Sequence, residues 1–151
     1  MTSGRIIVVV IVLSTIIFGL GLWYTNTRAY YAPVEDLVLT VQTEDGTLVP
    51  LDVSNAEAID AATSPLRFRA CFTLDDPAPL VDAMPYEDPT PLIPPAWFDC
   101  FDATALGEAL EAGTAQAYLG AFDTARGVDL VVATFPDGRG YAWTQLNGTL
   151  E

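Results

Sequence analysis

The chain has 151 residues, with no histidine, no lysine and six arginines against twenty acidic residues. This composition excludes Ser-His-Asp and Cys-His nucleophile systems, histidine-ligated zinc, the lysine Schiff base and the P-loop lysine. All the carboxylates lie beyond residue 34, where only Arg67, Arg69, Arg126 and Arg139 oppose them, so that part carries 4 − 20 = −16 of a chain whose net charge is −14. Such a surface repels nucleic-acid phosphates and anionic lipid head groups, and it suits a basic protein partner or a cation.

Residues 6–24, IIVVVIVLSTIIFGLGLWY, run without a charge. At helical rise they extend about 28 Å, close to the thickness of a bilayer core. Trp23 and Tyr24 end the run where an interfacial aromatic belt belongs. A cleaved signal peptide has a shorter apolar core and small residues at its cleavage site, and LWYTNTRAYY offers no such pattern. The segment reads as one uncleaved transmembrane helix through the lipid bilayer, with residues 1–5 as a short cytoplasmic end and 25–33 as a linker. Arg5 and Arg28 nearly balance as flanks. Orientation therefore follows from the acidic, cysteine-containing remainder, which suits export: N-terminus inside, domain outside. Within the span, Thr15 and Gly19 form a small-xxx-small pair that permits close helix–helix contact, and Gly21 and Thr25 form another.

Residues 34–151 read as one acidic α+β domain. VEDLVLTVQ and TLVPLDV flank TEDG and predict a hairpin with Gly46 at positive φ. In SNAEAIDAA, Ser54 and Glu57 stand at capping-box spacing, which predicts a short helix from Ser54 ended by Ser64-Pro65. LRFRACFT alternates as a strand, with Phe68, Ala70 and Phe72 on one face and Arg67, Arg69 and Cys71 on the other. Residues 75–95 hold seven of the eleven prolines, a composition that is extended and unfit for a central strand. Their apolar residues predict a long arm packed on the domain surface, and loops of that length are often functional. A second helix is expected from Ala103 to Ala112, capped by Asp102 and stopped by Gly113. TAQAYLGAF, VDLVVATF and GYAWTQL then predict three strands, the last two joined by PDGR, with VDLVVATF apolar on both faces and hence central. The expected architecture is a mainly antiparallel sheet with two short helices.

Cys71 and Cys100 enclose the arm. In an exported domain two cysteines usually pair, and the bond would pin both ends of a segment with little secondary structure of its own. The rival reading is a thiol activated by Arg67 and Arg69, but Asp99 and Asp102 beside Cys100 oppose a lowered pKa and no C-x-x-C exists. Arg67 and Arg69 either grip an anionic ligand or pair with carboxylates of the arm, the second reading being favoured by the surplus of acidic neighbours. Asp75-Asp76, Glu87-Asp88 and Asp99/Asp102 could each contribute to a calcium site or an acid–base pair, but with twenty carboxylates close pairs arise by composition alone, and none has the spacing of a calcium loop. No cofactor is indicated.

Three stretches, SPLRFRACFT, PPAWFDCFDATALGEALEAGTAQAYLG and GVDLVVATFPDGRGYAW, together resemble a family of small single-span proteins of unknown function from alphaproteobacteria. The resemblance implies a bacterial inner-membrane protein. Some members of that family bear a histidine-kinase label, which a chain without histidine or an ATP-binding motif cannot fulfil. The sequence as a whole predicts a membrane-anchored periplasmic interaction module, an accessory subunit rather than an enzyme. Its contact surface is expected on the arm, at Tyr86, Leu92, Ile93 and Trp97, because aromatic and aliphatic anchors carry interface energy better than charges. The alternative is a small-ligand or calcium-binding domain, or an enzyme working with carboxylates.

Overall fold

The computed structural model describes residues 3–150. Helix α1 (Ser3–Tyr24) carries the apolar run, and a π-helical turn, Thr25–Ala29, continues it. None of its residues is buried against the domain, and the helix is long and apolar enough to cross a membrane. The side chains of Thr15, Thr25 and Thr27 fold back onto carbonyls one turn earlier, satisfying their hydroxyls inside an apolar segment.

Beyond α1 lie eight strands: β1 (Ala32–Pro33), β2 (Thr40–Gln42), β3 (Leu48–Pro50), β4 (Val53–Asp60), β5 (Arg69–Leu74), β6 (Gln116–Ala125), β7 (Val128–Thr134) and β8 (Arg139–Leu146). Six of them form one antiparallel sheet in the order β1-β4-β5-β8-β7-β6, while β2 and β3 form a separate hairpin. Gly46 takes φ 85° in the hairpin turn, as its sequence predicts. Strand β7 lies inside the sheet with both faces largely buried, and the turn into β8 places Gly138 at φ 90°.

The sheet separates two apolar layers. On one face Leu39, Val41 and Leu51 of the hairpin region cover Ala70, Phe72, Val132 and Ala142. On the other, Phe98, Phe101 and Leu106 cover Ile59, Val131, Ala133 and the fully enclosed Trp143. Leu106 belongs to α2 (Ala103–Glu111), whose N-cap Asp102 accepts from the amides of Thr104 and Ala105, both at 3.0 Å. Gly113 at φ 71° ends that helix.

One predicted element is overturned. Residues 54–60 are not a helix; they form β4, paired antiparallel with β5 from Val53↔Leu74 to Ile59↔Arg69. The Ser54 hydroxyl donates to Asp75 Oδ1 at 2.7 Å instead of capping a helix. A bulge between Ser54 and Glu57, with Asn55 at φ 48°, absorbs the extra residues. Ala58 and Ile59 then face opposite apolar layers, a gain that local helix propensity cannot match. The domain thus keeps its α+β character with α2 as its one α-helix among the described residues, joined by a single 3-10 turn, Ala78–Leu80, in the arm.

Candidate functional site

The arm is bound to the sheet edge by its backbone. Met84 N donates to Gln42 O, and Met84 O accepts from Leu119 N, each at 2.8 Å, so the arm bridges the hairpin to β6. Two residues on, Tyr86 N donates to Ala117 O at 3.0 Å. Prolines flank these amides without occupying them, which lets a proline-rich segment serve as an irregular edge strand.

Gln145 of β8 reaches up from beneath the sheet face. Its side-chain oxygen accepts from Thr90 N at 2.7 Å and from the Trp143 indole at 2.9 Å, while its amide donates to Asp88 O at 3.0 Å. A buried amide with all these partners fixes the arm in one register. Asp129 does the same for the neighbouring end of β6. Only 3% exposed, it accepts from Asp123 N and the Asn147 amide, both at 2.8 Å, and from the Tyr86 hydroxyl at 3.2 Å. Burial and the adjacent Asp129 carboxylate push the Tyr86 phenol up to about 12. Neither Gln145 nor Asp129 stands out in the sequence; the one available signal is a polar residue at a core position of an otherwise apolar strand.

Cys71 of β5 and Cys100 are joined by a disulfide, with Cα atoms 6.2 Å apart and 29 residues of sequence separation. Beside it Arg69, 4% exposed, donates to the carbonyls of Leu92 (2.6 Å), Leu66 (2.9 Å) and Phe68 (2.5 Å), with Phe101 6.0 Å from its guanidinium. Burial lowers its pKa to about 10, so it remains charged at neutral pH. The arm carboxylates expected to pair with Arg67 and Arg69 do not do so. The one ion pair among the described residues is Arg139–Asp137, at 2.8 Å. Arg69 is enclosed by backbone carbonyls, one from the arm at Leu92 and two from the stretch before β5 at Leu66 and Phe68, which satisfy it without the cost of burying a second charge. Arg67 lies 5.5 Å over the Tyr31 ring, and its Nη1 has no hydrogen-bond partner.

Of the four expected contact residues, three are tied down. Tyr86 is held as described, Leu92 is half-buried, and Trp97 packs on the second apolar layer. The Trp97 indole N–H donates to Thr27 O at 2.5 Å, with the Arg28 guanidinium 5.5 Å over its ring and Tyr31 edge-on at 6.0 Å. Trp97 is therefore the joint between the apolar helix and the domain. Ile93 alone stands free, 81% exposed. It borders a groove of about 660 Å³ between the arm and α2, whose floor includes Ala103, Gly107 and Leu110 and whose rim carries Glu87, Asp88, Glu108 and Glu111. Thr15 and Gly19 lie on the exposed surface of α1, with open space around Gly19.

The remaining carboxylate pairs serve local structure. Asp75 receives Ser54, Asp76 accepts from Ala78 N, and Asp102 caps α2. Among the described residues no three acidic or cysteine side chains cluster closely enough to hold a metal ion.

An exposed apolar helix joined through Trp97 to a disulfide-stapled, arm-wrapped antiparallel sheet defines a small α+β module with an apolar N-terminal helix. The chain belongs to DUF6446, a family of unknown function, whose model matches residues 38–151. No curated protein and no solved structure matches it.

Proposed function

We propose that the protein is a single-pass inner-membrane protein whose acidic domain lies in the periplasm and binds another protein, as an accessory or assembly subunit of a membrane complex. Helix α1 supplies the anchor, and the disulfide suits an oxidising compartment. The observation that carries the binding reading is Ile93, presented free on a segment fixed on both sides by Gln145, Arg69 and Trp97. A rigid platform gives up little entropy on association, so one apolar anchor on it is worth more than the same residue on a mobile loop. The acidic rim beside Ile93 selects a partner surface rich in arginine or lysine. No step of chemistry is assigned to the domain; it acts as a non-catalytic docking surface.

The test is purification of the full chain from native membranes in mild detergent, wild type against Ile93→Asp, with co-purifying proteins quantified. Deleting residues 75–95 is unsuitable because the arm completes the sheet edge. A stoichiometric protein lost with Ile93→Asp is the expected outcome. Recovery of the wild type alone at every detergent strength would contradict the proposal.

A further inference from the structure

Twenty carboxylates are spread over the chain beyond residue 34, yet the stretches that meet at the root of α1 hold none. These are residues 25–34, which leave the helix, 61–68, which lead towards β5, and 94–98, which lead from the arm to Cys100. Four of their side chains form a row. The Arg28 guanidinium lies 5.5 Å over the Trp97 ring, Trp97 meets Tyr31 edge-on at 6.0 Å, and the Arg67 guanidinium lies 5.5 Å over the Tyr31 ring. The Trp97 indole bond to Thr27 O ties this row to the helix end. Each ring takes a cation on its face, which positions the two charges without neutralising them. Among the described residues no carboxylate lies within ion-pair distance of either arginine. Arg28 stands four residues beyond Tyr24, the last residue of α1, or about 6 Å further at helical rise. That places the row at the depth of the head groups, a layer roughly 5–8 Å thick outside the hydrocarbon core.

We propose that this row is a seat for phospholipid head groups. Arg28 and Arg67 take lipid phosphates of the leaflet from which α1 emerges, with a preference for anionic lipid, and so hold the 61–68 loop against the bilayer. A guanidinium suits this task because its planar donors pair with phosphate oxygens. Arg67 Nη1 is enclosed, so its phosphate contact falls to Nε and Nη2. The occupant is a membrane surface rather than a soluble anion because the row is continuous with the apolar helix, through Arg28 in the chain and through Trp97 by its bond to Thr27. The surplus of carboxylates would push a freely hung domain away from an anionic surface, and two arginines at the root offset that repulsion where the domain comes closest. Such a seat requires α1 to cross the bilayer, and it is independent of the docking role of Ile93.

The experiment uses the full chain in phosphatidylcholine nanodiscs in which phosphatidylglycerol replaces up to about half of the lipid. The three tryptophan indoles are the NMR reporters: Trp23 in the apolar helix, Trp97 in the row and Trp143 enclosed in the core. A spin label on the acyl chain should relax Trp23. One on the head group should relax Trp97 and the amide of exposed Thr63, while the Gly138 amide, at the far end of β5, stays sharp. Added phosphatidylglycerol should shift the Trp97 indole saturably and leave Trp143 unmoved. Arg28→Gln and Arg67→Gln should each raise the lipid fraction needed for half that shift about fivefold. Arg139→Gln, which removes the same charge at the far end of the sheet, should not. Arg28→Lys with Arg67→Lys should keep most of the response, which guanidiniums that serve only to stack on the rings would lose. An unrelaxed Trp23 would remove the anchor, and the seat with it. Trp23 relaxed while Thr63 stays as sharp as Gly138 would leave the anchor standing and overturn the seat. A Trp97 resonance that ignores phosphatidylglycerol, or responds equally in both Gln variants, would overturn it as well.

Discussion

Removing the Cys71–Cys100 bond should destabilise the domain without releasing the arm. The bond closes a loop of 29 residues' separation, for which the chain-entropy relation gives about 3.6 kcal/mol at 25 °C. With about 2 cal/mol/K of unfolding entropy per residue over the folded domain, the melting temperature should fall by about 15 °C. The native arm has other ties: the Gln145 bonds to Thr90 and Asp88, the Arg69 bond to Leu92 O, and backbone bonds at Met84 and Tyr86. The cost therefore falls on the unfolded state, which regains its freedom, while the folded state stays as it is. Thermal unfolding of Cys71→Ala/Cys100→Ala, followed by circular dichroism, measures the first effect, and tryptophan fluorescence at 25 °C measures the second. A drop of only a few degrees would refute the entropy argument. A shifted Trp97 emission at 25 °C would refute the claim that the remaining ties hold the arm.

Two further substitutions probe the core and the arm contact. A Cβ at Gly140 would lie 2.2 Å from the Phe72 ring, itself buried against Ala70 and Ala142, so Gly140→Ala should cost about 2–3 kcal/mol in chemical denaturation. The Tyr86 phenol titrates near 12 in the folded protein and 10 in the unfolded chain, so its contribution is fully present below pH 10 and is lost as pH rises through 12. Screened by solvent, that contribution is about 1 kcal/mol, and Tyr86→Phe should flatten this part of the alkaline stability profile.

Much of this fold is readable from local chemistry. Gly46, Gly113 and Gly138 sit where a positive φ is required, Asp102 caps α2 as its position predicts, and the cysteines enclosing the arm are bonded. These features depend on a few adjacent residues or on compartment chemistry. Strand β4 depends instead on a distant partner. Its Ser54–Glu57 spacing imitates a capping box, while its pairing with β5 and the division of Ala58 and Ile59 between two layers exist only in the assembled sheet. The candidate site shows the same division. Tyr86 and Trp97 are apolar enough to mark a contact surface, yet nothing local says that one meets Asp129 and the other Thr27. Arg69 likewise lies among many carboxylates in sequence, yet it is satisfied by carbonyls, two of them local and the third brought to it by the arm.

The most direct test of the central claim places a photo-crosslinking amino acid at position 93 of the full chain in its native membrane, with position 38 as the control. Both side chains are highly exposed, at 81% and 74%, and Val38 belongs to the separate 34–39 segment on the opposite side of the sheet from α2. The account predicts one discrete protein adduct from position 93, with a basic contact surface, and none from position 38. No adduct from either position, or the same adduct from both, would contradict it.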